Sequence, residues 1–252
     1  MKKQIKRLFN IAIFLLIAQT SFAQISLGVK GGISIPNLKA PSGSNPVSSG
    51  WSSRQGPYFG VFSEFKISDH FALQLELNYS SQGGKKDGVQ GIATSDFFAP
   101  NPVPPGAPKY VYASFKNEAA LNYIELPLLA KIIFPLGEKF SFFIDGGPYA
   151  GYLLKAKNIS SGSSMVYLDK AETQPLPIGT QSFDSTADVT KNIKRFNAGI
   201  QGGIGIAVKL GNGELMLTGG GNYGLINIQK NADDGKNNTG AATVTLGYLI
   251  RL

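Results

Sequence analysis

Few residues in this 252-residue chain have types and spacings that do chemistry, and each can be weighed in turn. His70 is the only histidine, so it is the one imidazole available for general acid–base work near neutral pH. It falls in what reads as a short turn between two strands. The run Gly219-Gly220-Gly221-Asn222-Tyr223-Gly224 formally satisfies the GxGxxG phosphate loop, yet no helical periodicity follows it. It reads instead as a strand whose missing side chains let a lumen close. Asn231 to Gly240 carries Asp233, Asp234 and several Asn, the oxygen ligands of a calcium loop, but lacks the closing Glu and reads as a polar hairpin turn. With no cysteine, thiolate metal sites, cysteine catalysis, disulfides and a lipoprotein anchor are excluded. No catalytic residue, metal or cofactor is assigned.

What remains is a set of charges: Lys30, Glu64, Lys66, Glu76, Glu125, Lys131, Asp145, Lys209, Glu214 and Arg251, five basic and five acidic. Their chemistry is mutual pairing, and it needs elements that turn them toward one another. Eight segments supply the pattern, near 25–35, 57–67, 71–80, 121–134, 140–152, 196–210, 214–227 and 241–252. Phe71, Leu73, Leu75, Leu77 and Tyr79 alternate with Ala72, Gln74, Glu76, Asn78 and Ser80, a strand with one oily and one polar face. In every segment the charges sit opposite the main hydrophobic ladder. Each is near or above the roughly 9 to 11 residues that a tilted strand needs to cross a bilayer. A Lys or Arg facing the bilayer midplane costs about 2 to 4 kcal/mol, so this segregation is what a membrane barrel requires. The alternative is a water-soluble sandwich or lipocalin-like barrel, oily inside and charged outside.

The connections decide between them. In order they have about 21, 3, 40, 5, 43, 3 and 13 residues by the boundaries above, long alternating with short, as outer-membrane barrels alternate extracellular loops with periplasmic turns. His70 then lies on the periplasmic side, far from the outer rim where small barrel enzymes act on lipid or peptide. Outward aromatics gather in two bands: Phe59, Tyr79, Tyr152, Phe196 and Tyr223 toward the long loops, and Phe71, Phe134, Phe140 and Tyr248 toward the turns.

Export fits this reading. Lys2, Lys3, Lys6 and Arg7 precede an apolar run from Leu8 to Ala18, and Ser21-Phe22-Ala23 forms a cleavage site, so residues 1–23 read as a signal peptide and 24–252 as a single barrel domain. No other apolar run approaches the length of a transmembrane helix. Removing the leader leaves 20 basic against 16 acidic residues, scattered and too mild for a nucleic-acid surface.

Two stretches carry a family resemblance. Tyr123-Ile124-Glu125-Leu126-Pro127-Leu128-Leu129-Ala130-Lys131, followed by Gly147-Pro148-Tyr149-Ala150-Gly151-Tyr152, resembles the PorT-like outer-membrane β-barrel family of Bacteroidetes. Thr245, Gly247, Ile250 and Leu252 are similar to the assembly signal that closes bacterial outer-membrane barrels, with Leu in place of the commoner Phe. The resemblance implies an eight-stranded antiparallel up-and-down transmembrane barrel, all-β, that meets outer-membrane lipid and the barrel-assembly machinery; some relatives serve a protein-secretion apparatus. Within the segment, Pro127 implies a local break in the ladder.

The expected role is that of a non-enzymatic integral outer-membrane scaffold whose external loops contact another envelope protein or a surface polymer. Phe97, Phe98, Tyr110 and Tyr112, which flank the proline-dense stretch 100–108, are the candidate partner-binding residues; a cap packed over the barrel mouth is the other use of that loop. A narrow channel or secretion component is the alternative role. An enzyme acting on lipid or peptide would need an outer-rim cluster that one histidine and no cysteine do not assemble.

Overall fold

Alternation with period two and β-branched or aromatic outward residues make most of this chain strand. The computed structural model describes residues 24–231 and 234–251; residues 1–23, read above as a signal peptide, lie outside them, as do Ala232, Asp233 and Leu252. In chain order the elements begin with β1 (Gln24–Lys39), β2 (Gly56–Ser68) and β3 (Phe71–Lys86). A cap segment follows, made of β4 (Val89–Ala93), the one-turn helix α1 (Thr94–Phe98) and β5 (Tyr110–Ser114). Then come β6 (Lys116–Leu136) and β7 (Phe140–Ser161), and four short pieces, β8 (Ser163–Ser164), β9 (Val166–Tyr167), β10 (Gln181–Ser182) and β11 (Ser185–Asp188). The chain returns through β12 (Phe196–Leu210), β13 (Gly213–Gly224) and β14 (Asn238–Arg251).

Eight long strands pair in the cyclic order β1-β2-β3-β6-β7-β12-β13-β14, every neighbour antiparallel, and β14 closes on β1 from Ser26↔Arg251 to Lys39↔Asn238. The result is the closed eight-stranded up-and-down barrel. Closure leaves no barrel edge for lipid to meet with unpaired N–H and C=O groups. Three tight turns, at 69–70, 137–139 and 211–212, lie at one end. The opposite end carries the long connections.

Burial follows the alternation. Val29, Val61, Leu77, Leu126, Ile200, Ile204 and Leu246 point outward into an apolar belt. Their strand neighbours Lys30, Phe62, Glu76 and Glu125 point into the lumen. One aromatic band runs along the register from Phe59 to Tyr79, Ile124, Tyr152 and Phe196 on successive strands, with Phe59 and Tyr79 stacked at 4.9 Å between centroids. Nearer the turns, Phe134 and Phe142 sit 5.9 Å apart, with Phe140 exposed beside them.

Pro127 does interrupt the sheet. Pairing of β3 with β6 passes from Leu75↔Leu128 to Asn78↔Glu125, and pairing of β6 with β7 passes from Pro127↔Tyr149 to Ala130↔Gly146. A residue without an N–H cannot serve the ladder on its donor side.

The strands overrun the sequence boundaries at the long-loop end. β3 reaches Lys86, β6 begins at Lys116 and β7 continues to Ser161, so stretches read as loop from 81 and from 153 are sheet. Gly83-Gly84 looks like a turn in sequence, but Gly83 takes φ +120° and stays paired with Ala120. At the other extreme, β13 stops at Gly224, short of 227.

Candidate functional site

The lumen is built in layers. Nearest the turns, Phe62, Phe143, Met216, Ala207 and Leu249 form an apolar plug. Two of its rings lie on glycines across the ladder: a Cβ on Gly28 would collide with the Phe62 ring, and one on Gly205 with the Phe143 ring. Small backbone sites facing large rings are how a narrow barrel fills its bore.

Ionic groups interleave with the plug and continue above it. Lys131 Nζ reaches Glu64 Oε2 at 2.6 Å, while its charge stands 4.2 Å from the Phe143 ring centroid. Lys30 Nζ meets Glu76 Oε2 at 2.7 Å. Gln74 Nε2, Asn78 Nδ2 and Gln201 Nε2 also donate to the Glu76 carboxylate, at 2.6, 2.7 and 3.0 Å. Glu125, 0% exposed, accepts from Gln82 Nε2 at 3.3 Å and from Asn222 Nδ2 at 3.1 Å. Buried charge is tolerated when paired, as Glu64 and Glu76 are; Glu125 is met by amide donors alone. Asp145 lines the same level beside its register partner Lys131. The cavity left in this layer is about 30 Å³, room for a water or two.

The turn-side rim is open. Lys66, Lys209, Glu214 and Arg251 line a depression of about 380 Å³, with Arg251 paired to Glu214 across β13 and β14. Lys66 binds Asp69 at 2.9 Å, and that hydrogen bond holds the exposed Asp69 carboxyl below its ordinary pKa. His70 is here too, its Nδ1 3.2 Å from the Ile133 carbonyl oxygen.

The long-loop end is a folded cap rather than a set of loose loops. β4, β5 and β9 form a small sheet over Val111, Ala113 and Val166, against which Phe97, Phe115 and Phe183 pack. The proline-rich stretch is tied down at both ends, for Thr94 Oγ1 donates to the Pro108 carbonyl at 2.6 Å and the Asn101 N–H to the Phe98 carbonyl at 2.8 Å. Of the four loop aromatics singled out above, Phe97 faces this core; Phe98, Tyr110 and Tyr112 remain half-exposed. Thr245 and Gly247 face the lumen from β14, and Ile250 faces outward, 48% exposed.

Sequence reading did not single out Arg54, Trp51 and Lys86. Arg54 crosses from the first long connection to bind Glu118 Oε1 at 2.7 Å and Ser81 Oγ at 2.8 Å, fastening that connection to the extended strands. Lys86 is buried, and desolvation draws its pKa down to about 8. Alternation continued past Ser80 would have placed Gln82 and Lys86 on the inner face. The double glycine hid it.

The sequence profile described as the outer membrane protein beta-barrel domain matches residues 17–230. No curated protein matches the chain. Similar solved structures include Neisserial surface protein A, 11% identical over 90% of this chain and 97% of that one, TM-score 0.43. The N-terminal β-barrel domain of Pseudomonas aeruginosa OprF is 13% identical over 91% and 99%, TM-score 0.39. The attachment invasion locus protein Ail of Yersinia pestis is 10% identical over 90% and 99%, TM-score 0.38.

Proposed function

This chain belongs to the outer membrane protein beta-barrel domain family, and from that premise we propose that it is a non-enzymatic integral protein of the outer membrane. Its barrel is a sealed scaffold, and its extracellular cap is the part that meets another envelope component. The observation that carries the sealed scaffold is the lumen. Apolar plug residues and ion pairs interlock across the bore and leave only about 30 Å³ between them. A solute crossing would have to break Lys30–Glu76 and Lys131–Glu64 while both carboxylates stay buried. The cap supports the second half of the proposal, because a structure with its own small sheet and core presents Phe98, Tyr110 and Tyr112 on a fixed frame.

The finer kinship with PorT-like proteins of Bacteroidetes, a cleaved leader at 1–23, and assembly through Thr245, Gly247, Ile250 and Leu252 belong to the same proposal, supported by the motifs quoted above. The histidine sits at the turn-side rim bonded to a backbone carbonyl, which favours a structural over a catalytic part for it.

Planar-bilayer recording tests the reading. The purified barrel should add no sustained conductance over a protein-free membrane. Stable unitary steps would overturn the sealed scaffold and favour the channel.

A further inference from the structure

Just above the outer aromatic band, one side of the barrel carries charge of nearly a single sign. The stretches 152–158, 188–196 and 223–231, which leave β7, enter β12 and leave β13, hold Lys155, Lys157, Lys191, Lys194, Arg195 and Lys230 against one carboxylate, Asp188. Backbone pairing sets the three stretches side by side. The Leu153 N–H donates to the Arg195 carbonyl at 2.7 Å, the Lys194 N–H to the Ile228 carbonyl at 2.8 Å, and Ile193 bridges Gln229. Asp188 is the ladder partner of Lys157 and lies 3.8 Å from the Lys155 ammonium. Hydrogen bonds from Thr190 hold its carboxyl below the ordinary range, and the charges of Lys155 and Arg195 add to that effect from two sides.

Backbone carbonyls position two of these cations without cancelling their charge. Arg195 Nη1 donates to the carbonyls of Leu153 and Leu154 at 2.9 and 3.2 Å, which fixes the guanidinium and leaves Nε and Nη2 as a fork for an oxyanion. Lys230 Nζ donates to the Lys191 carbonyl at 2.6 Å. On the β3–β6 side, by contrast, Arg54 is matched by Glu118 at 2.7 Å. Asp234, farther along the connection from β13, lines the cavity under the cap.

Arg195 and Lys194 stand one and two residues above Phe196, and Lys155 three above Tyr152, two rings that are 56% and 55% exposed. At about 2.5 Å of height per tilted residue, all three lie within roughly 8 Å of the ring level, close to the depth of a headgroup layer. Beneath the rings the outward side chains shrink. Ala150 pairs with Ala198 directly under Tyr152 and Phe196, and Gly146, Gly202, Gly221 and Ala242 follow one another in register across β7, β12, β13 and β14. Pro148 and Ile200 stand above this row and Ile144 and Ile204 below it, which makes it a shallow trough in the apolar belt.

We infer that this face holds a lipid whose headgroup is an uncapped phosphate, with the phosphate on Arg195 and Lys155, flanked by Lys194, and the acyl chains against Ala198 and Gly202. Hydrocarbon in the trough gains dispersion contacts with the backbone that a free anion does not. The inference rests on the reading of the chain as a membrane barrel, and is independent of the partner role of the cap.

The detergent-purified barrel would be incubated with equal amounts of dipalmitoyl phosphatidate and dipalmitoyl phosphatidylcholine, which share their chains, and the retained lipids counted by native mass spectrometry. The expected result is a preference of about tenfold for phosphatidate, the scale of one charged hydrogen bond. That preference should vanish in Lys155→Gln/Arg195→Gln and persist in Lys209→Gln at the opposite rim. Equal retention of the two lipids, a preference that survives the double variant, an equal loss in Lys209→Gln, or displacement of phosphatidate by inorganic phosphate each overturns the proposal. If the double variant does not fold, Lys155→Gln/Lys157→Gln/Lys191→Gln, which changes three exposed side chains, should weaken the preference likewise, and an unchanged preference overturns it equally. Insertion into phosphatidylcholine vesicles, scored by the gel shift of unheated protein, is read separately: a chain that never inserts overturns the membrane reading and this site with it, whereas an inserted barrel without lipid preference overturns the site alone.

Discussion

At the scale of single residues, the lumen ion pairs set the rules for substitution. Lys131→Met leaves Glu64 buried without its cation, and should cost about 3 to 5 kcal/mol in urea-driven unfolding from lipid. Replacing both partners with apolar residues should recover most of that loss, because the desolvation penalty leaves with the charges. A double variant as unstable as the single one would mean that the pair is not the source of the effect. Lys86 gives a pH dependence of defined sign. Burial lowers its pKa to about 8, against an ordinary value of 10.5 in the unfolded chain. Between those limits the unfolded state holds more protons, so stability should rise with pH across that window, by on the order of 3 kcal/mol, and be insensitive to this group below it. Subtracting the curve of Lys86→Met from that of the wild type isolates the contribution; a difference that stays flat from about pH 7 to about pH 11 would refute it.

Which of these residues could be read from sequence follows from how far apart their strands lie. Arg251 and Glu214 sit on adjacent strands joined by a hairpin, so parity and turn position suffice to bring them together. Lys30 and Glu76 lie on β1 and β3, with β2 between them, and Lys131 and Glu64 are likewise separated by β3. Those contacts are made across the bore and depend on the curvature of closure, which period-two alternation does not encode.

At the scale of elements, the strands were legible between the aromatic bands and illegible above them. Between the bands one face meets lipid and the other the lumen, so alternation is strict. Above them both faces meet protein or water, and Gly83-Gly84, Ser160-Ser161 and the Ser/Thr-rich stretch after them give no periodic signal. Sheet persists there because β6 and β7 keep pairing with each other from Lys116↔Ser161 downward. The cap was open to two readings in sequence, and its core of Val111, Ala113 and Val166 joins segments more than fifty residues apart. The glycines inside the strands supply a test at this scale. Gly28→Val and Gly205→Val push into the Phe62 and Phe143 rings and should each destabilise the barrel by roughly 1 to 3 kcal/mol or more. Gly219→Val, where an added Cβ meets nothing within 4 Å, should be tolerated. Equal losses at all three positions, measured by the temperature at which the unheated gel mobility is lost, would show that strand glycines matter for backbone reasons alone.

For the whole molecule, barrel and cap are separable in their packing, since the apolar plug, the ionic layer and the cap core are distinct sets of side chains. Replacing residues 87–115 with a short turn should therefore leave a barrel that still shifts on heating, while Trp51 emission moves to the red as Phe97 and Phe115 are lost from above it. Failure of that variant to assemble would make the cap part of the folding unit.

The projecting strands also fix an altitude. From the Tyr79, Ile124 and Tyr152 level, β3, β6 and β7 run on for seven to nine residues to Lys86, Lys116 and Ser161. At about 3.3 Å per residue and a tilt near 40°, this lifts the cap roughly 20 Å clear of the hydrocarbon. A neighbour embedded in the same membrane with short loops can touch only the flanks of this column. On the scaffold role proposed above, a partner for the summit would have to reach it through the surrounding medium or carry a stalk of matching height.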